Sequence, residues 1–528
     1  MLFLGGEPVN IVQKFKNIFR RGAYALTGDT LRTINDHPKI HLDPLELRRI
    51  ERNFREYKGE YPEIEYRNSA GELQRRPYMT INMMKLSSEL LSGLVFNEQC
   101  EVVISDAKDD DEAANTFQKA NDFIMHVFEH NDFKKNLAKY LDPMFATGGL
   151  TVRPYVDQAS GEIEFSWALA NAFYPLRNNS NGISEGVMKS VTMKMENSKE
   201  TYYTLLEFHE WENDAYVITN ELYKSNHKDE IGKRVPLSEL YEDMEETVTV
   251  MGLSRPMFNY VTPFGFNNIN PHSPLGLGIT DNAKATLKQI NDVWDQFNWE
   301  IQMGQRTVFV SDHMLSLLPS ENGMPPVQVF DTNQNVYKSM RMGDEGKTPI
   351  VDVTNDIRTE QYIAAINQSL KNLEMELKLS VGTFSFDGRS MKTATEIVSE
   401  NDLTFRTRNS HVYEVEKFIK GLVVSVLELA SLTVSEHKVL FDGEIPTFEH
   451  IGVDFDDGVF QSKDAMLTFY GKAKGFGLIP TVEIIQRVFK VPKRTAEEWL
   501  EIISEEQAEM DPMYLDDQKQ KTLFGDDE

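Results

Sequence analysis

Two apolar stripes at helical spacing, set some fifty residues apart, constrain this chain more than any other feature. In the first, Ala283, Leu287, Ile290, Trp294, Phe297 and Ile301 recur at intervals of four and three, and Gly304 follows as a stop. In the second, Ile363, Ile366, Leu370, Leu373 and Leu377 keep a 3-4-3-4 rhythm. That rhythm is the narrow seam of helices packed nearly parallel or antiparallel. Asn355 and Asp356 offer the second helix an N-cap, and Gly382 offers it an end. At about 23 residues each, the helices should be about 35 Å long. Between them, TVFV, VQVF and NVYK are short strand-like pieces broken by Pro319, Pro325, Pro326 and Gly343, with Pro349 near the end. Strands this short need neighbours to pair with. The expected object is a stalk of two helices with a small mixed insert at its tip.

The remainder reads as α+β. Leu45 to Tyr57 and Tyr78 to Phe96 are helical, the second more apolar than the first. From Cys100 the texture changes to CEVVIS, LTVRPYV, EIEFSWAL, VMKSVTMKM, YYTLLEFHEW and AYVITNELY, which read as strands with turn signals at Gln158–Gly161 and Glu196–Ser198. A helix from Thr116 to His130 follows the acidic run Asp109 to Glu112, itself read as a solvated loop. Residues 1–262 form one region, and the segment from Thr262 to Pro274, with three prolines, marks its boundary.

Beyond the second stripe, Thr383 to Met391 is a loop, and Thr393 with Glu396 makes a capping box for a third long helix. That helix carries Arg406, Arg408 and His411 in its first half and the stripe Val412, Val415, Ile419, Leu422, Val426 and Leu429 in its second, which implies a kink or two environments. A strand-like run, HIGVDFDDGVF, precedes helices from Lys463, Thr481 and Thr495, the last with a Thr495–Glu498 capping box. The end from Glu505 is acidic and poor in apolar residues, the composition of a frayed tail.

Composition excludes several classes. With 40% hydrophobic and 26% charged residues over 528 positions, the chain can bury cores and should hold two to four domains or one domain with large insertions. Its one cysteine, Cys100, rules out an internal disulfide and a multi-cysteine zinc site, as suits synthesis in a reducing compartment. No stretch has the uncharged apolar length of a membrane span, and Met1 to Asn10 lacks a secretory layout, so neither insertion nor export is expected. A net charge of −28 argues against a surface that grips duplex DNA. It is compatible with a surface past which DNA slides. Ile11 to Leu26, with Lys14, Lys16, Arg20 and Arg21, is basic and amphipathic. It reads either as a helix for a partner or membrane or, preferably, as one packed on its own domain.

No catalytic constellation stands out. GRSMKT superficially resembles the end of a P-loop, but Met391 stands where Gly must precede the lysine, and the stretch follows a helix. Gly148-Gly149 and Gly276-Leu277-Gly278 lack dinucleotide spacing and read as turns. Neither G-x-S-x-G nor H-E-x-x-H occurs. His37 and His41 are four apart, but Pro38 lies between them and no glutamate is near, which disfavours a metal site. Asp454, Asp456 and Asp457 are the densest acidic group in a strand-like run; an exposed turn is favoured over a two-metal centre. No cofactor, metal or catalytic residue is therefore expected.

The order of parts is itself informative: an α+β body, a long helix, a small insert, a second long helix, a loop, a third long helix and a helical end. It resembles the portal proteins of tailed double-stranded DNA bacteriophages, in particular long-tailed phages of Gram-positive hosts. Three segments carry the resemblance, RRPYMTINMMKLSSELLSGLVFNEQCEVVI, PFGFNNINPHSPLGLGITDNAKATLKQINDVWDQFNWEIQMGQRTVFV and VGTFSFDGRSMKTATEIVSENDLTFRTRNSHVYEVEKFIKGLVVSVLELA. It extends over roughly residues 75–510.

The resemblance implies a portal-type subunit: wing 1–262, stem helices 263–304 and 355–380, clip 305–354, tunnel loop 381–392, wing-closing helix and strand 393–456, crown 457–510 and acidic tail 511–528. It also implies a homo-oligomeric ring, usually of twelve, at one capsid vertex, with double-stranded DNA in the channel. Its partners would be the terminase large subunit, a head-completion or adaptor protein, and the major capsid and scaffolding proteins, with no membrane. Assembly would take place in the host cytoplasm. The DNA-facing residues would be Phe384, Ser385, Phe386, Asp387, Gly388, Arg389, Ser390, Met391 and Lys392. Leu287, Ile290, Trp294, Phe297, Ile363, Ile366, Leu370 and Leu373 would pack the stem. The alternatives are another ring-forming head or tail protein, or an acidic metal-dependent nuclease.

Overall fold

The computed structural model describes residues 30–67, 71–97, 99–105, 116–157, 160–196, 198–242, 244–304, 308–311, 317–318, 327–328, 337–340, 351–352, 356–385, 402–432, 434–435, 438–455, 463–489, 496 and 499–504. Ile11–Leu26, the run Asp109–Glu112, both expected capping boxes, Asp456, Asp457 and the acidic tail lie outside the described residues. The fold is α+β. The chain forms two compact units, Met1–Phe455 and Asp456–Glu528.

The first unit opens with strand β1 (Thr30–Leu31), helix α1 (Pro44–Tyr57), the hairpin β2 (Ile64–Arg67) and β3 (Leu73–Arg76), and helix α2 (Met83–Val95). Asp43 caps α1 and Asn82 caps α2, each through its side chain, so α2 starts five residues later than the apolar pattern suggested. Next come β4 (Glu101–Ile104), α3 (Gln118–His130) and α4 (Phe133–Thr147). The sequence reading missed both the hairpin and α4. Pro143 inside α4 disguised it, although Phe133, Leu137, Leu141, Met144 and Phe145 lie on one buried stripe.

Nine strands follow: β5 (Leu150–Val156), β6 (Ile163–Leu169), β7 (Phe173–Asn179), β8 (Gly182–Glu196), β9 (Lys199–Glu212), β10 (Ala215–Ser225), β11 (Gly232–Val235), β12 (Thr247–Met251) and β13 (Asn259–Val261). All nine and β1 make up two antiparallel sheets, one of seven strands and one of three. The larger has the order β1-β11-β10-β9-β8-β7, with β12 also on β10, and the smaller the order β13-β5-β6. Tight turns at Ser198 and Asn213, both in the left-handed region, join β8 to β9 and β9 to β10. Both faces of β9 are covered. Leu206 and Phe208 pack with Leu31, Ile34 and Ile40, whereas Tyr203 and Leu205 pack with Leu222 and Leu237. This double burial is why YYTLLEFHEW shows no clean alternation.

Helix α5 (Lys284–Met303) leads to short strands β14 (Val308–Ser311), β15 (Leu317–Leu318), β16 (Val327–Gln328), β17 (Tyr337–Met340) and β18 (Val351–Asp352). Here β14 pairs in parallel with β17 and antiparallel with β18, and β15 pairs with β16. Helix α6 (Thr359–Glu376) returns, and α7 (Asp402–Leu432) runs through the main core, its Val415, Ile419, Leu422 and Val426 buried in one cluster with Leu91, Leu137 and Phe145. A two-stranded ladder, β19 (Val434–Ser435) and β20 (Lys438–Val439), precedes β21 (Ile451–Asp454), which pairs with β4. The second unit contains α8 (Lys463–Gly475) and α9 (Thr481–Phe489), with Ile484, Ile485 and Val488 buried.

The proline-containing segment after Val261 does not separate compact units. It is a packed elbow between the smaller sheet and α5.

Candidate functional site

The helix pair α5–α6 is antiparallel: Thr286 meets Glu376 at one end, and Glu300 meets Arg358 and Tyr362 at the other. With 20 and 18 residues the helices are about 30 and 27 Å long, shorter than the sequence suggested. Two expected end signals are corrected. Asp356 is not the N-cap of α6; that position is Arg358, whose N–H is accepted by the Glu300 carboxylate of α5 at 3.0 Å. Hydrogen bonds from Arg358 and Tyr362 hold Glu300 well below the usual carboxylate range. Nor does Gly382 end α6. The helix stops at Glu376, and Lys378 takes the left-handed conformation after it.

The seam between the helices is graded. At the base Leu287, Ile290, Leu370 and Leu373 are buried; Trp294, Phe297 and Ile366 are half-buried; at the far end Ile363 is 56% and Ile301 43% exposed. Of the eight residues expected to pack the stem, four are therefore closed within one chain, three are partly open, and Ile363 faces outward.

A buried ionic elbow fixes the base. Arg49 of α1 donates to Asp281 at 2.6 Å, to Glu46 at 2.9 Å and to the Gly276 carbonyl at 2.9 Å. Asn53 and the Gly278 N–H also donate to Asp281, each at 2.8 Å. The two glycine pairs read as turns are in fact one crossing. A Cβ on Gly276 would lie 2.4 Å from the Gly148 carbonyl oxygen, and one on Gly278 would lie 2.1 Å from that of Ala146. Only glycine allows α4 and the elbow to approach so closely. Along the outer half of α5, Arg76 of the hairpin makes a bidentate pair with Asp295, both contacts at 2.6 Å, and its guanidinium lies 4.6 Å from the Trp299 ring.

Beyond α6, Glu374 organises the root of the loop. Its buried carboxylate accepts from the N–H groups of Gly382 (3.1 Å), Phe384 (2.5 Å) and Ser385 (2.7 Å) and from the Ser385 hydroxyl (3.0 Å). Phe384 packs against the main core. Ser385, one of the residues expected to face DNA, is buried within the chain, and Glu374 accepts from both its N–H and its hydroxyl. Phe386, Asp387, Gly388, Arg389, Ser390, Met391 and Lys392 lie outside the described residues.

The first half of α7 has the second environment its polar residues implied. Arg408 is buried and donates to the Leu94 carbonyl at 2.7 Å, while Arg406 pairs with Asp402 at the surface. His411 accepts from the Phe264 N–H at 3.0 Å through Nδ1, and burial, with Lys378 nearby, lowers its pKa to about 4.

A second buried polar cluster is structural. Glu207 forms an ion pair with Arg153 at 2.7 Å and accepts from His209 Nε2 at 2.6 Å, and Tyr216 donates to His209 Nδ1 at 3.0 Å. His209 and Tyr216 are fully buried, so no substrate reaches them. His37 pairs with Glu221 at 3.1 Å, and no group of three or more potential metal ligands occurs among the described residues. Asp454 is an exposed β21 residue. Cys100 is buried, which pushes its thiol up to about 12.

The long helix pair is thus clamped at its base and left apolar at its tip. The family model for phage portal proteins, SPP1 Gp6-like, matches residues 36–509, and the chain belongs to that family. The match begins about forty residues earlier than the resemblance in the sequence. The protein is thus a structural component of a virion that works as a portal ring. Among solved structures, it is similar to a chain in the neck of an empty GTA particle computed with C6 symmetry, at 10% identity and TM-score 0.36, over 84% of this chain and 94% of that one. It is also similar to a chain of the virion of the native gene transfer agent particle, at 9% identity and TM-score 0.33, over 78% and 88%. No curated protein sequence matches the chain. No described helix is long and apolar enough to cross a membrane.

Proposed function

We propose that the ring is a dodecamer around an axial channel through which double-stranded DNA enters and leaves the capsid, in a phage of a Gram-positive host. Residues 1–262 and 393–456 are the wing, 263–304 and 355–380 the stem, 305–354 the clip, 381–392 the tunnel loop and 457–510 the crown. The clip docks the terminase large subunit first and a head-completion protein later, and the ring assembles in the host cytoplasm with scaffolding and major capsid proteins. The chain itself is not a catalyst; the motor is a separate ATPase. Arg389 and Lys392 touch DNA in the channel.

The observation that most supports this reading is the stem seam open at its far end. Ile301, Met303, Ile357 and Ile363 are exposed apolar residues at the tip of one helix pair. Heterologous contacts with a neighbouring copy would cover them and close a ring. An acidic chain of net charge −28 also suits a conduit that must not hold phosphate tightly.

Electron microscopy of the purified full-length protein tests the reading. A twelve-fold ring with a stalk and a central hole is expected; a stable monomer, both at micromolar concentration and in particles, overturns it. Changing Arg389 and Lys392 to Ala should leave the ring intact and alter DNA packaging or retention. Normal packaging and retention in that variant removes the DNA contact from the account.

A further inference from the structure

One cleft, at the C-terminal end of α1, is used by neither the helix pair nor the loop. It is a largely open groove of about 640 Å³. Phe54, Tyr57, Phe96 and Tyr140 form its aromatic walls, and Glu89 and Asp142 are its carboxylates. Tyr140 is stacked on Trp167 with ring centroids 4.9 Å apart, which holds that wall in place. Asp142 accepts from the Tyr57 hydroxyl at 2.6 Å through Oδ2, but its Oδ1 is buried without a hydrogen-bond partner. Lys85 meets Glu89 in an exposed contact at 3.3 Å, and Lys139 lies 5.7 Å from the Tyr140 ring. Neither donates to Asp142 Oδ1. Burial raises the pKa of the Asp142 carboxyl, the condition that an incoming cation would relieve.

Aromatic faces beside carboxylates select a cationic side chain with apolar neighbours, because ring quadrupole and carboxylate both attract the charge. The chain has a segment of that chemistry. Ile11 to Leu26 carries four cations, Lys14, Lys16, Arg20 and Arg21, and no acid, in a protein of net charge −28. Phe15 and Phe19 are four residues apart, on one face if the segment is helical.

Chain length permits the contact. Leu31 and Leu42 share one apolar cluster, so the described chain starts near the N-terminal end of α1. The 14 residues of α1 reach from there to the cleft, about 20 Å. Phe19 lies eleven residues before Thr30, up to about 36 Å of extended chain.

We propose that this cleft receives the chain's own N-terminal basic segment, with Phe15 and Phe19 against the aromatic walls and Arg20 and Arg21 toward Asp142 and Glu89. The segment then ties residues before β1 to the junction of α1, α2 and α4, independently of the channel reading.

The test uses the full-length, assembled protein with a photo-reactive phenylalanine analogue in place of Phe19, followed by irradiation and peptide mapping. Cross-links to peptides containing Phe54, Phe96 or Tyr140 are expected, with a yield about tenfold lower in the Asp142→Asn, Glu89→Gln variant. If that variant fails to fold, Arg20→Gln with Arg21→Gln should give the same fall. Cross-links that map elsewhere in the chain or to another protein, the absence of any cross-link at the cleft, or a yield unchanged by these substitutions overturns the proposal. Rings assembled from mixed isotopically light and heavy chains decide the source: cross-links within one isotope are expected, and links between isotopes overturn the same-chain assignment.

Discussion

The same periodic signal has opposite fates in α7 and in the α5–α6 pair. On α7 the stripe Val415, Ile419, Leu422 and Val426 is buried throughout, closed by α2, α4 and the smaller sheet of the same chain. On the helix pair the stripe is buried at Ile290 and Leu373 but open at Ile301 and Ile363. Burial of an apolar side chain contributes about 1.5–3 kcal/mol wherever the partner comes from. The body uses that contribution to fold; at the tip of the helix pair one chain leaves it unused. Between the two stands the elbow, where charge rather than apolar packing makes the joint.

The largest way to break this contrast is at the elbow. Arg49→Ala should leave Glu46 and Asp281 buried without their cation and destabilise the chain by about 3–5 kcal/mol, read from urea unfolding followed by circular dichroism. A loss below about 1 kcal/mol, the scale of an exposed pair, would mean that the joint is not held by this cluster.

Acid should separate the regions next. The folded pKa of His411 lies below its ordinary 6.5, at about 4. The unfolded chain therefore takes up the proton first, so this contribution is whole above pH 6.5 and is lost as pH falls toward 4, roughly 3 kcal/mol in all. His209, also pushed down by burial, adds in the same direction. The stability-versus-pH curve of His411→Gln, compared with that of the parent, should be flatter across this window. Identical slopes would remove His411 from the account.

A smaller effect is expected at the loop root. Glu374→Ala removes the acceptor of three backbone N–H groups, but the loop root can open to water, so the loss should stay near the roughly 1–3 kcal/mol of a single buried unpaired group. Hydrogen exchange at Gly382 to Ser385 should accelerate while the centre of α7 stays protected. Acceleration of both would show that the root is not a local clamp.

The smallest change in fold stability should accompany the clearest change in assembly. Ile363→Ser, at an exposed site, should alter chain stability by no more than about 0.5 kcal/mol and shift the mass distribution from rings toward smaller species. If rings persist at the parent concentration, the open end of the seam is not an interface.

Elements with a repeating pattern of their own were legible in the sequence. The two stripes on α5 and α6, the long strands β8 and β10 and the apolar half of α7 announce themselves within a dozen residues, because 3.6-residue and two-residue periods are local properties. The short pieces of the insert were legible too, at Val308–Ser311, Val327–Gln328 and Tyr337–Met340. Elements without such a pattern were not. The hairpin at Ile64–Arg76 is mostly exposed and polar, held by the Arg76–Asp295 pair to a helix more than two hundred residues away.

The candidate site divides along the same line. Composition and order of parts pointed to a helix pair with a small insert between its helices, and α5 and α6 pack on each other with the short strands β14 to β18 between them in the chain. Tertiary structure alone decided how that pair is held: Arg49 on Asp281, Gly148 against Gly276, Glu300 capping α6 and Glu374 gripping Gly382 to Ser385. Amphipathic periodicity follows from the identity of near neighbours, so a sequence carries it openly. A buried ion pair or a glycine crossing acquires meaning only when distant segments meet, because the same arginine or glycine in an exposed loop would be solvated and unremarkable.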